Sequence, residues 1–103
     1  MDKKAILLDV NDNVATCTSE VNAGDTVNCH GNGNAQVKAV MTIPVWHKIA
    51  LISLAKGKLV YKYGEVIGET VQDIPQGGWV SHENIKSVQR DYASEYVIKK
   101  AGN

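Results

Sequence analysis

The chain has 103 residues, 44% hydrophobic and 21% charged, and its eleven basic and eleven acidic side chains give a formal net charge of zero. That length fits one domain with one core, and the composition is that of a folded chain. Neutrality removes the basic footprint of a nucleic-acid or anionic-membrane binder, and no apolar run approaches the ~20 residues of a spanning helix. A small molecule or another protein is the expected partner.

Lys3 and Lys4 are followed by only four apolar residues, 5–8, before Asp9, too few for a secretory signal. Two cysteines, Cys17 and Cys29, have neither a disulfide-framework nor a metal-finger spacing. The chain is therefore expected to be cytoplasmic, with two reduced, partly buried thiols; a single incidental disulfide is the alternative.

Residues 5–8, 14–18 and 36–43 are short runs of β-formers bounded by Asn, Asp and Gly, and are predicted as strands. In the third, Val37, Ala39, Met41 and Ile43 alternate with wetter neighbours and should share a buried face. Asn11-Asp12-Asn13 is a turn that would join the first two strands as a hairpin. His30-Gly31-Asn32-Gly33-Asn34 has the composition of an exposed loop with a solvated histidine.

A pattern recurs three times: an apolar residue, a Gly three positions later and a Val six positions later, at Val21/Gly24/Val27, Leu54/Gly57/Val60 and Ile74/Gly77/Val80. Each predicts a tight turn in which Gly takes a positive φ while the flanking apolar side chains drop into the core. Residues 59–63 and 65–70 add two strands broken at Gly64, and Gly68 marks a bulge or a close backbone approach. Val88, Tyr92 and Tyr96 have helical spacing with Ser87 as cap, against an extended tail suggested by Tyr96-Val97-Ile98. The organisation expected is a mainly β domain over 1–86 and a C-terminal tail over 87–103.

Three segments could carry chemistry. His47-Lys48 puts a group that exchanges protons near neutral pH beside a cation suited to a carboxylate, and Pro44 supplies the chain break needed for both to face one site. Lys62-Tyr63-Gly64-Glu65 gathers a cation, a phenol and a carboxylate within one turn, the groups that acid–base work on a hydroxy acid requires. Ser81-His82-Glu83-Asn84, read as extended, offers His82 and Glu83 as metal ligands, better suited to an oxygen-coordinated divalent ion completed by another chain than to zinc. Trp46 and Trp79 flank these segments as core or interface aromatics. Against all three stands the bland reading that the polar groups only solvate a small β barrel.

Taken jointly, these residues resemble the small N-terminal SAF, or β-clip, domain of the altronate and galactarate dehydratase family. Its usual run is close to Gly-His-Lys-x-Ala-Leu, a glycine corner, Lys-Tyr-Gly-x-x-Ile-Gly, Asp-Ile-x-x-Gly and His-x-His-Asn. These fall here on residues 47–51, 54–57, 62–68, 73–77 and 81–84, and Asn11-Asp12-Asn13-Val14-Ala15 is similar to the family's Asp-Asn-Val-Ala start. The chain departs from the pattern at Trp46, where Gly is usual, and at Ser81 and Glu83, where the paired histidines are usual.

The resemblance implies a single SAF-type β-clip domain acting as the small subunit, or a separate domain, of a hydro-lyase that removes water from an aldonic or aldaric acid together with a larger subunit. His47, Lys48, Lys62, Tyr63 and Glu65 would be its catalytic residues, with Lys48 and Lys62 holding the substrate carboxylate. A divalent metal at His82 and Glu83 would be completed by the large subunit. The alternatives are the small subunit of a sulfolactate sulfo-lyase and a non-catalytic SAF-like docking module. Exposed strand edges would also favour a homo-oligomer.

Overall fold

The computed structural model describes residues 2–87. They form nine strands: β1 (Asp2–Leu7), β2 (Val14–Cys17), β3 (Thr26–Gly31), β4 (Gly33–Lys38), β5 (Lys48–Ala50), β6 (Leu59–Lys62), β7 (Glu65–Thr70), β8 (Trp79–Val80) and β9 (Ile85–Lys86). The described residues contain no helix, so the β class holds, and none long and apolar enough to cross a membrane. The helix expected over 87–100 falls, beyond Ser87, outside the described residues.

Six strands make one curled sheet in the order β4-β3-β1-β2-β5-β8, and β6-β7-β9 make a second. Strands β1 and β2 are the expected antiparallel hairpin, while β1 and β3 run parallel. The segment expected as an exposed loop at 30–34 is instead a tight hairpin: β3 and β4 pair through His30 and Asn34 and turn at Asn32, whose backbone N–H donates to Leu7 O at 2.9 Å. The alternation of buried Val27 and Cys29 with half-buried Thr26 and Asn28 is what forms β3. Strand β4 ends at Lys38, and of the face expected over 36–43 Met41 is exposed, while Val37, Ala39 and Ile43 are buried. The chain leaves the sheet there because it has reached a corner.

Two cores result. Ala5, Leu7, Cys17, Val21, Val27, Cys29, Ile43 and Ile49 are among the side chains of the first. Val14, Ala50, Leu54, Val60, Ile74 and Val80 fill the second, between the two sheets. Strands β2 and β5 separate them: Ala15 and Ile49 face the first core while Val14 and Ala50 face the second, which is why both strands bury both faces.

The glycine corners number four, one more than the three copies of the motif. The turns Asn22-Ala23-Gly24-Asp25, Pro44-Val45-Trp46-His47, Ala55-Lys56-Gly57-Lys58 and Pro75-Gln76-Gly77-Gly78 each close with an N–H of the fourth residue donating to the first carbonyl, at 2.9–3.1 Å. The third residue of each has a positive φ: 92° at Gly24, 69° at Trp46, 87° at Gly57 and 83° at Gly77. Its N–H donates to the carbonyl of Ala39, Cys17, Thr70 or Ala50 respectively, and the N–H of that same residue donates back to the carbonyl of the turn's fourth residue. The corners work in pairs, since Val21 bridges Ile43 and Leu54 bridges Ile74, all four buried. The N–H of Val40, just past β4, donates to Gly77 O at 3.0 Å, which draws the two edges of the six-stranded sheet toward each other.

Candidate functional site

Lys48 opens β5 and is paired with Thr16 on β2 and Val80 on β8. Two residues on, Ala50 faces the second core, so Lys48 leaves the sheet on that side and emerges half-buried at the seam between the sheets. Lys62 ends β6 on the other side of the seam. Burial pushes the Lys48 ammonium below the ordinary lysine range, and the Lys62 charge pushes it further. The ion pairs among the described residues are Lys3–Asp25 at 3.3 Å and Lys86–Glu69 at 3.8 Å, and neither seam lysine takes part in one. Two like charges, one partly desolvated, thus lie near enough for one to disfavour the other.

Lys62 is held by the hairpin that follows it. Tyr63 and Gly64 form a two-residue turn with φ of 60° and 72°, both in the left-handed region as a type I′ hairpin turn demands. Tyr63 is 67% exposed, a turn-tip residue rather than the end of the strand expected over 59–63, and its ring centroid lies 6.0 Å from Lys62 Nζ. Glu65 opens β7 directly opposite Lys62. The register shifts between Val60 and Tyr61, and Gly68 lets the backbone of β9 approach: a Cβ there would stand 2.8 Å from Lys86 O.

The structure therefore brings Lys48, Lys62, Tyr63 and Glu65 to one region, and it sends His47 elsewhere. The turn at Pro44 comes before His47, so His47 and Lys48 leave the start of β5 on opposite faces. His47 shares the side of Ile49 and Trp79, and its Nδ1 accepts a hydrogen bond from Trp79 Nε1 at 3.1 Å, the rings meeting edge to face at 5.4 Å and 72°. That bond makes the neutral imidazole an Nε2–H donor. Ser81-His82-Glu83-Asn84 is a turn and not an extended segment. Asn84 closes it, with Oδ1 accepting from Ser81 N at 2.8 Å and Nδ2 donating to Trp79 O at 2.6 Å. His82 and Glu83 are exposed on it, and no three His, Cys, Asp or Glu side chains among the described residues converge as a metal site would need. A cleft of about 350 Å³ opens beside this turn, lined by Met41, Asp73, Trp79, Ser81, Glu83 and Asn84 among others.

Two residues that sequence reading treated only as turn-formers prove to be anchors. Asp12, buried, accepts from Tyr63 N at 2.9 Å through Oδ2 and from Gly64 N at 2.7 Å through Oδ1. Asn13 accepts from Tyr61 N at 2.9 Å and donates to Leu59 O at 3.0 Å. The signal in sequence was the bare Asn-Asp-Asn run, which says turn without saying what the side chains hold. Cys17 and Cys29 are free and buried, with both thiols pushed up to about 11, mainly by burial. Each is in register with Ala5 from an opposite side, two strand spacings or ~10 Å apart, beyond the ~7 Å that a disulfide spans.

Comparison with known proteins gives this geometry a family. Residues 3–88 match the altronate/galactarate dehydratase SAF domain. The chain is 41% identical over 56 residues to the (2R)-sulfolactate sulfo-lyase subunit alpha of Paracoccus pantotrophus, covering 54% of this chain and 84% of that protein. To the same subunit of Chromohalobacter salexigens it is 44% identical over 45 residues, 44% of this chain and 48% of that one. To the galactarate dehydratase (L-threo-forming) of Escherichia coli K12 it is 40% identical over 43 residues, 42% of this chain and 8% of that enzyme. The chain thus spans a small fraction of the dehydratase and most of the Paracoccus lyase subunit. By its fold and by a match that runs from β1 to the end of β9, the chain belongs to the altronate/galactarate dehydratase SAF domain family.

Proposed function

We propose that this chain is the small SAF subunit of a cytoplasmic lyase that eliminates water from an aldonic or aldaric acid, such as altronate or galactarate, in company with a larger chain. The observation that carries the reading is the pair of seam lysines, Lys48 and Lys62, left without a carboxylate partner among the described residues. A substrate carboxylate between them would relieve their repulsion. When the proton on the carbon next to that carboxylate departs, negative charge develops on its oxygens, and two preorganised cations stabilise that charge more than they stabilise the ground state. Tyr63 and Glu65 stand beside Lys62 as the groups that would move the proton. His82 and Glu83 supply two donors at most, so a divalent metal there would need the larger chain to complete its coordination.

Most of the Paracoccus sulfo-lyase subunit is covered by this chain, which favours a second substrate reading: a sulfonated hydroxy acid losing sulfite. The carboxylate grip is common to both, because each reaction removes a proton next to a carboxylate and expels a group from the next carbon. The test is to co-purify the chain with a matching large chain and assay dehydration of altronate and galactarate alongside sulfite release from (2R)-sulfolactate. Dehydration supports the first reading and sulfite release without dehydration the second. Full turnover by the large chain alone would refute a catalytic role for this one.

A further inference from the structure

The turn between β1 and β2 reaches across to the second sheet, and it is shaped to do so. Asp9 O accepts from Asp12 N at 3.0 Å and Asp9 Oδ1 accepts from Asn11 N at 2.8 Å, so the backbone at Asp12 is fixed before its side chain engages anything. The Asp12 carboxylate then takes both N–H groups of the Tyr63–Gly64 turn, one on each oxygen, and Asn13 takes an N–H and a carbonyl of β6. Nothing about Tyr63 favours a φ of 60°; among the described residues only it and Trp46 adopt a left-handed φ without being glycine. A buried carboxylate that holds both donors of a strained turn is a clamp on that turn.

We propose that Asp12, assisted by Asn13, is the positioning residue of the seam site: by holding the Tyr63–Gly64 turn in its left-handed form it fixes Lys62 across from Lys48, so that the two ammonium groups act as one anion-holding pair. This rests on the reading of the lysine pair given above. The hydrogen bonds of the Asp12 side chain go to backbone N–H groups, so its hold on the site passes through the clamped turn to Lys62, the residue immediately before it. The clamp also couples the two halves of the fold, because the six-residue connection that carries it, 8–13, joins β1 to β2, the strand that pairs with Lys48 through Thr16.

The experiment is a double-mutant cycle on the full chain, with the Lys48 pKa followed by NMR titration of its side-chain carbon. Lys62→Met removes the neighbouring charge and should shift the Lys48 pKa upward. Asp12→Ala should shift it upward as well, and the D12A/K62M double variant should match K62M alone, since a clamp that acts through Lys62 has nothing left to act on. Tyr63→Gly, which adopts the left-handed turn without help, should return the Lys48 pKa of D12A toward the parent value. Additive shifts in the double variant, or failure of Tyr63→Gly to rescue, would overturn the positioning role in favour of general loosening. If D12A does not fold, Asp12→Asn, which keeps one acceptor, carries the same cycle with a smaller first shift. Because these readouts need no partner and no substrate, they stand or fall separately from lyase turnover: the clamp can be confirmed in a chain that proves inactive, and refuted in one that is active.

Discussion

The first pair of corners and the second pair share a backbone and differ in their surroundings. Around Val21 and Ile43 the positive-φ positions hold Gly24 and Trp46; around Leu54 and Ile74 they hold Gly57 and Gly77. At Gly24 and Gly57 a Cβ would meet nothing within 4 Å, whereas at Gly77 it would stand 1.9 Å from Lys38 O. The turn itself, secured by its own closing bond and by two bonds to a neighbouring strand, therefore tolerates a side chain, and at Trp46 it carries one that is 66% exposed. Glycine is obligatory where the second pair is pressed against the first half of the chain. The two non-glycine residues with positive φ among those described, Trp46 and Tyr63, both border the seam: one lies two residues before Lys48, the other directly after Lys62. Backbone strain is concentrated where the candidate site is, as is usual for functional segments.

The largest effect should come from collapsing the difference between corners. Gly77→Ala adds both an unfavourable φ and an overlap with the Lys38 carbonyl, and it pushes apart the Val40–Gly77 bond that joins the sheet edges; a loss of about 3 kcal/mol or more is expected in urea denaturation. Gly24→Ala and Gly57→Ala meet open space and should cost only the backbone preference, about 1 kcal/mol each. Equal losses at all three positions would show that the crowding at Gly77 is relieved by backbone movement and that the pairs are equivalent after all.

How far the sequence discloses this arrangement depends on which residues are asked. The β class, the β1–β2 hairpin and the break at Gly64 follow from alternation and turn chemistry, and three corners follow from Gly at fixed spacing. The fourth was hidden because Trp46 occupies the glycine position, although Ile43 and Ile49 keep the apolar spacing of the other copies. Lys48 and Lys62 are legible as motif residues, but their approach is not, since it depends on how the β6–β7 hairpin packs over β2 and β5. His47 leaves that site for a reason sequence does contain, the opposite facing of consecutive strand residues. The turn at 81–84 was misread as extended because the Asn84 side chain, closing on Ser81 and Trp79, decides it. Asp12 and Asn13 could not be identified as anchors, because their partners lie some fifty residues along the chain.

Lys48 tests whether the strained half of the comparison serves a ligand or stability. Lys48→Met removes a half-buried cation that burial and Lys62 both disfavour, so the isolated chain should become more stable at pH 7, with its urea midpoint moving up. In the complex with a larger chain, turnover should fall by about 10²-fold, the scale of losing one preorganised electrostatic contact. The pH dependence has a definite sign. With a folded pKa below the ordinary lysine value, the folded chain releases the Lys48 proton first, so stability rises as pH climbs from that lowered value toward the ordinary one. Lys48→Met should lack this rise. The comparison must be made as a difference between the two proteins, because Cys17 and Cys29, at about 11, act in the opposite direction: their contribution is full below the ordinary thiol value and is lost as pH climbs through about 11. A variant that loses stability at pH 7 would mean that the Lys48 stem packs at the seam more than its charge costs.

The smallest expected effect is at Trp46. Trp46→Gly restores the residue that the other three corners carry, removes a left-handed penalty of about 1 kcal/mol, and gives up little packing from a side chain two-thirds exposed. A gain of about 1 kcal/mol in unfolding free energy from urea denaturation, with the Trp79–His47 contact retained in its fluorescence and NMR signatures, would show that the corner is set by its hydrogen bonds and merely tolerates the indole. If the variant is more stable yet assembles or turns over less well with the larger chain, the tryptophan is kept for its exposed face beside Lys48, and the strain it carries is a cost of the site. If stability falls instead, the indole packs against the corner it distorts, and the first pair of corners owes part of its stability to the one residue that breaks the glycine rule.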